Sequence, residues 1–182
     1  MQEEHDPVHR FVYSREMVDF VSHANTCCQF LEELKKISAR EFILESVKRF
    51  PALYAAFHLI GDTQPLHEGD LEPSVSEQDW AELYQQIAAL LGPHNEVLRV
   101  AGEEEFDRSE VLSHTISEDL ADVYQELRDF TVIYSRGLEE FMNDAAWELK
   151  ERFAEHWGMK LLRALSALHM LYVKEIDPEE ER

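Results

Sequence analysis

A chain of 182 residues, 45% hydrophobic and 30% charged, has the composition of one ordinary folded domain, which excludes a disordered chain and a disulfide-stapled miniprotein. Seventeen Lys and Arg stand against 38 Asp and Glu, a formal net charge of −21. That field excludes direct nucleic-acid binding and attraction to anionic lipid, because phosphate contacts need basic side chains that displace counterions.

Residues 1–12 read as a loose N-terminal arm. The first helix is predicted from Ser14 to Lys36, with Val18, Val21, Cys28, Leu31 and Leu34 or Ile37 facing inward at helical spacing. Cys27 and Cys28 are the only cysteines, and neighbours in sequence are too strained to bridge each other. They point to a reducing compartment, and with no signal peptide expected, to the cytoplasm. A second helix is predicted from Arg40 to Ile60, with a kink or break at Pro51, which lacks the donor N–H and crowds the preceding turn. Gly61 closes it, and residues 61–75 form an acidic, turn-rich loop.

Ser76-Glu-Gln-Asp79 has the spacing of a capping box that opens a third helix, stopped near Leu91 by Gly92-Pro93. Residues 93–113 carry no clear period and are open to short helical or extended pieces. Thr115-Ile-Ser-Glu118 is a second capping-box pattern and starts helix four, predicted to reach Met142. Asn143 is then expected to cap helix five, which runs to about Lys174 ahead of an acidic, frayed tail at 175–182. No segment is long and apolar enough for a membrane span. The fold class is therefore all-α, a single-domain bundle of five to six helices over residues 1–182, with helices four and five as an antiparallel hairpin.

That hairpin carries the candidate site. On helix four, Ile116, Leu120, Val123, Leu127, Phe130 and Tyr134 make an apolar face, flanked by Asp119, Asp122, Glu126 and Asp129 at spacings of 3, 4 and 3. On helix five, Phe153, Trp157, Leu161, Ala164, Leu168 and Leu171 face inward, flanked by His156, Lys160 and Arg163. A turn near Met142–Asn143 brings the two flanks together and pairs Asp122 with Arg163, Glu126 with Lys160 and Asp129 with His156, leaving Asp119 without a cation. A helix ending at Gly137 instead slides this register by about two turns. Trp157 is read as core, and Gly158 as the place where a neighbouring helix comes close. His169 is read as a histidine on a mostly apolar border.

Two further features bear on function. From Phe50 to Leu98 there is no Lys or Arg, against eight carboxylates. No di-iron Glu-x-x-His pair, zinc spacing, phosphate loop or nucleophile elbow is present, so no cofactor is expected, and Asp119, Asp122 and His156 make only a weak pattern for a metal ion. The leading expectation is a non-catalytic protein-interaction or regulatory module whose acidic surface meets another protein of basic character. The alternative is a Mg²⁺- or Mn²⁺-dependent hydrolase of small phosphorylated compounds. There Asp119, Asp122 and Glu126 would hold the metal while Lys160 and Arg163 grip phosphate. A nucleic-acid mimic is a third reading of the charge.

The stretches SEDLADVYQELRDF (117–130) and DAAWELKERFAEHWGMKLLRALSALH (144–169) resemble a bacterial family of uncharacterised all-helical proteins. Asp119, Leu120, Asp122, Tyr124, Phe153, His156, Trp157, Gly158 and His169 carry the likeness. It implies a helical fold and a bacterial, soluble origin, and no activity.

Overall fold

A computed structural model describes residues 6–69, 71–99 and 112–179. Seven α-helices follow in order: α1 (Pro7–Val12), α2 (Arg15–Glu32), α3 (Ala39–Phe57), α4 (Glu77–Leu91), α5 (Ile116–Ser135), α6 (Glu139–Arg152) and α7 (Gly158–Val173). Between α4 and α5 a 3₁₀ turn leads into an antiparallel pair, β1 (Glu96–Arg99) and β2 (Leu112–Thr115), with Val97 opposite His114. The stretch 100–111, like residues 1–5, 70 and 180–182, lies outside the described residues, and with it parts of the expected N-terminal arm, the 93–113 segment and the acidic tail.

The amphipathic patterns decide which faces turn inward. The central helix is α5, packed against α2, α4, α6 and α7. Its buried side chains include Leu120, Val123, Leu127 and Phe130, as its period predicts. They meet Phe20 and Leu31 of α2, Ile87 of α4 and Leu161 and Leu168 of α7 in one contiguous apolar core. On α2 the inward face is Met17, Phe20, Ala24, Cys27, Cys28 and Leu31. Val18, expected inside, is 48% exposed, with Met17 buried in its place, whereas Cys28 and Leu31 are buried as expected. Both cysteines are free and buried, and burial pushes the Cys27 thiol up to about 12. Such thiols are inert at neutral pH.

Pro51 does not break α3. It sits on the exposed side, so its ring meets solvent, while Phe50, Leu53 and Phe57 stay buried on the opposite side and hold the helix in place. The helix ends at Phe57, and two tight turns carry the chain to Ile60. The Ser76–Asp79 capping box is complete, each side chain bonding the other's backbone N–H. At α5 only the Thr115 half forms, with its hydroxyl accepting from Glu118 N–H.

Residues 6–12 of the expected arm and 175–179 of the expected tail make specific contacts with the bundle. Asp6 caps α1, Val12 is buried, and α1 rests on α6 through His9 Nδ1 and Glu139 Oε1 at 2.8 Å. At the other end Pro178 is buried, and Glu179 accepts from Ala39 N–H at the start of α3, at 3.2 Å. That contact places an anion at the positive end of a helix.

Helix four ends at Ser135, not Met142. Gly137 takes φ +71°, a left-handed conformation that glycine adopts without steric cost, and α6 begins at Glu139. Asn143 therefore caps nothing. It lies fully buried inside α6, where its amide donates to Gln64 C=O at 2.8 Å and its side-chain oxygen accepts from Thr63. Asp144 beside it accepts from Leu66 N–H at 2.7 Å, His67 N–H at 3.1 Å and the His67 ring at 2.7 Å. Two buried polar side chains thus hold residues 63–67 against α6.

Burial disfavours the charged form of Asp144, but the donors from Leu66, His67 and Asn143 outweigh it and hold the carboxyl below its ordinary range. A lowered folded-state pKa means that this stabilisation is present above the usual carboxylate value and is lost as pH falls through the lowered one. Asp144→Asn is expected to cost about 1 kcal/mol at neutral pH and to flatten the fall in melting temperature below pH ~4. Thermal unfolding across pH 2–7 (approximately) checks this, and parallel wild-type and variant curves would refute it.

Candidate functional site

One flank of α5 meets one flank of the α6–α7 rod. Asp119, only 1% exposed, receives the guanidinium of Arg163 side-on: Nε donates to Oδ2 at 3.2 Å and Nη2 to Oδ1. One turn on, Asp122 accepts from Lys160 on Oδ2 and from the indole N–H of Trp80 on Oδ1, at 2.7 Å. Glu126 Oε1 lies 3.4 Å from Arg152 Nη1 and 3.5 Å from His156 Nδ1. Asp129 leaves the series: its Oδ1 accepts from the backbone N–H groups of Ser74 and Val75, the latter at 2.9 Å, and pins the loop that leads into α4.

The predicted flanks therefore meet, but in a register shifted by one helical turn. Asp119, expected to lack a cation, takes the Arg163 assigned to Asp122, Asp122 takes Lys160, and Glu126 meets His156. The earlier turn at Gly137 drives the slip. It amounts to one turn rather than two, and a π turn at residues 153–157 takes up about one extra residue within the second rod. His169 is exposed and lies apart from the series.

Gly158 also has a different neighbour from the one expected. A Cβ there would meet Phe153 of the preceding turn, at 2.7 Å from its carbonyl oxygen and 2.9 Å from its ring. The nearest atoms make the glycine a residue that admits the π turn. Trp157 is fully buried, and its indole donates to Leu149 C=O at 3.0 Å.

Electrostatically the cluster is closed. Asp119 holds the Arg163 guanidinium above its ordinary value, and Asp122 and Lys160 are each 16% exposed at the side chain. Glu126 is the loosest rung. Burial pushes its carboxyl above the usual range, against the pull of Arg152 and His156. Both oxygens of Asp119 and of Asp122 are spent on protein donors, and no group of three or more His, Cys, Asp or Glu among the described residues is placed to hold a metal ion. A Mg²⁺ site needs open carboxylates, and a phosphate grip needs uncommitted cations. At Asp119 and Asp122 the carboxylates and their cations are committed to each other.

Three participants escape sequence reasoning: Arg152, which reaches Glu126 from the last turn of α6, Trp80 and His114. Trp80 has the spacing of a core residue, and nothing local announces that its N–H reaches a carboxylate 42 positions away. His114 comes in on β2, an element with no period of its own, and places Nε2 3.7 Å from Asp119 Oδ2.

The family model for "Domain of unknown function (DUF5063)" matches residues 11–174. The chain belongs to this family. The DUF5063 match takes in α2 to α7 and every rung of the cluster. A solved structure, protein BF1032 from Bacteroides fragilis, is similar at a TM-score of 0.77 and 29% sequence identity, over 87% of this chain and 93% of that one. The DUF5063 fold described above is thus shared with a relative of known structure. Among curated proteins nothing matches.

Proposed function

We propose that this DUF5063 protein is a non-catalytic interaction module, acting as one helical domain in the cytoplasm, whose acidic surface receives a basic protein partner. The observation that carries the reading is the division of its carboxylates. Asp119, Asp122 and Glu126 are neutralised within the bundle. Glu68, Glu72, Glu77 and Glu82 lie exposed along a stretch, Phe50 to Leu98, that has no Lys or Arg. Their charge is left to face solvent, where it steers a basic partner and repels nucleic acid. No helix among the described residues is long and apolar enough to cross a membrane. Two buried free thiols accord with a reducing compartment.

The test is capture on the immobilised chain, compared with a variant in which Glu68, Glu72, Glu77 and Glu82 are all changed to Lys. A specific partner is expected to be retained by the native chain, released by salt of about 0.5 M, and bound at least ~10-fold more weakly by the reversed variant. Retention of nothing, or retention indifferent to the reversal, overturns the reading.

A further inference from the structure

Resting on that reading, we propose that the partner presents a basic amphipathic segment, and that its apolar face docks on Leu66, Leu138 and Phe141. The three side chains are 50%, 56% and 41% exposed. Leu138 caps the N-terminus of α6 and Phe141 lies in its first turn, three residues on. His67, the neighbour of Leu66, stacks on the Phe141 ring with centroids 5.2 Å apart and planes 10° apart, which joins loop and helix into one surface.

Two observations give this patch an occupant. The first is how firmly an outward-facing leucine is held. Asn143 and Asp144 are buried polar residues inside a helix, where apolar ones would pack at less cost, and their hydrogen bonds go to Thr63, Gln64, Leu66 and His67. The loop is thereby fixed in the conformation that displays Leu66 to water. Fixing a contact loop beforehand lowers the entropy lost on binding. The second is the sign of the rim. Glu68 is exposed, and Glu140, 69% exposed at the side chain, flanks His67 at 3.5 Å. An apolar patch edged by carboxylates complements a segment with leucine-like side chains on one face and lysine or arginine on the other, the helix-in-groove mode of recognition.

The probe is a synthetic peptide of leucines and lysines at helical spacing, titrated calorimetrically against the intact chain. Its control is a peptide of the same composition, scrambled so that no apolar face forms. The amphipathic peptide is expected to bind at least tenfold tighter than the scrambled one. Leu66→Ser combined with Phe141→Ser is expected to abolish that preference while the melting curve remains cooperative. Both side chains are well exposed, so the fold should survive. Glu140→Gln at the rim, a second variant that removes charge and leaves the apolar patch unchanged, is expected to weaken both peptides alike. Equal affinity for the two peptides, or a preference untouched by the serine pair, overturns the docking surface. Either result leaves the acidic-module reading standing if reversal of Glu68, Glu72, Glu77 and Glu82 still weakens partner capture at least ~10-fold. Absence of salt-sensitive capture by the native chain strikes the module reading itself.

Discussion

Asp119→Ala is expected to lower the unfolding free energy by about 3 kcal/mol, measured by urea denaturation followed by circular dichroism. The carboxylate is 1% exposed and binds Arg163 through two donors. Removing it strands a guanidinium whose side chain is 33% exposed. Solvent reaches part of that charge, which places the cost at the low end of what a broken buried pair shows. Asp119 also lies in the first turn of α5, where an anion suits the helix dipole. Replacing both partners by apolar residues of similar size, Asp119→Leu with Arg163→Met, should recover much of the loss, since no charge is then buried alone. A single-variant cost under about 1 kcal/mol would mean that the pair behaves as an exposed one.

Gly158→Ala is expected to destabilise by about 2 kcal/mol, against the gain of about 1 kcal/mol that helix propensity alone predicts. The sign is the test. The added methyl would meet the Phe153 carbonyl oxygen at 2.7 Å, and that oxygen cannot swing aside because it accepts Gly158's own N–H. The Phe153 ring has little room to move, being stacked on Phe57 at 4.1 Å and set against Trp157 at 4.6 Å. A stabilised variant would show that the wide turn yields readily to ordinary α-helix.

These two positions also mark what the sequence reveals and where it stops. The flanks that carry Asp119, Asp122 and Glu126 on one helix and His156, Lys160 and Arg163 on the other follow from a 3.6-residue period, and so does their meeting on one side of a hairpin. The register does not follow from it. It depends on Gly137, one left-handed residue, and on an extra-wide turn whose only local signature is a glycine after a tryptophan. Asn143 shows the same limit from another side. A polar residue between helical stretches reads naturally as a cap, and only the tertiary fold discloses that it is buried to hold a loop. The capping box at Ser76 was legible because both halves lie within four residues. Asp129 was not, because its donors, Ser74 and Val75, are more than 50 positions away. At Pro51 the helix runs on to Phe57, held by the buried Phe50, Leu53 and Phe57, a tertiary contribution that the missing N–H does not foretell.

Trp80 gives the bundle a built-in optical reporter. The chain has three tryptophans, Trp80, Trp147 and Trp157. The indole of Trp80 rests on Asp122, whereas that of Trp157 is anchored to a backbone carbonyl deep in the core, so these two sample different parts of the molecule. In a Trp147→Phe background, loosening of α4 from its neighbours would alter the emission of Trp80 while that of Trp157 stays constant, and the peeling of one helix becomes visible by fluorescence before the rest of the protein gives way.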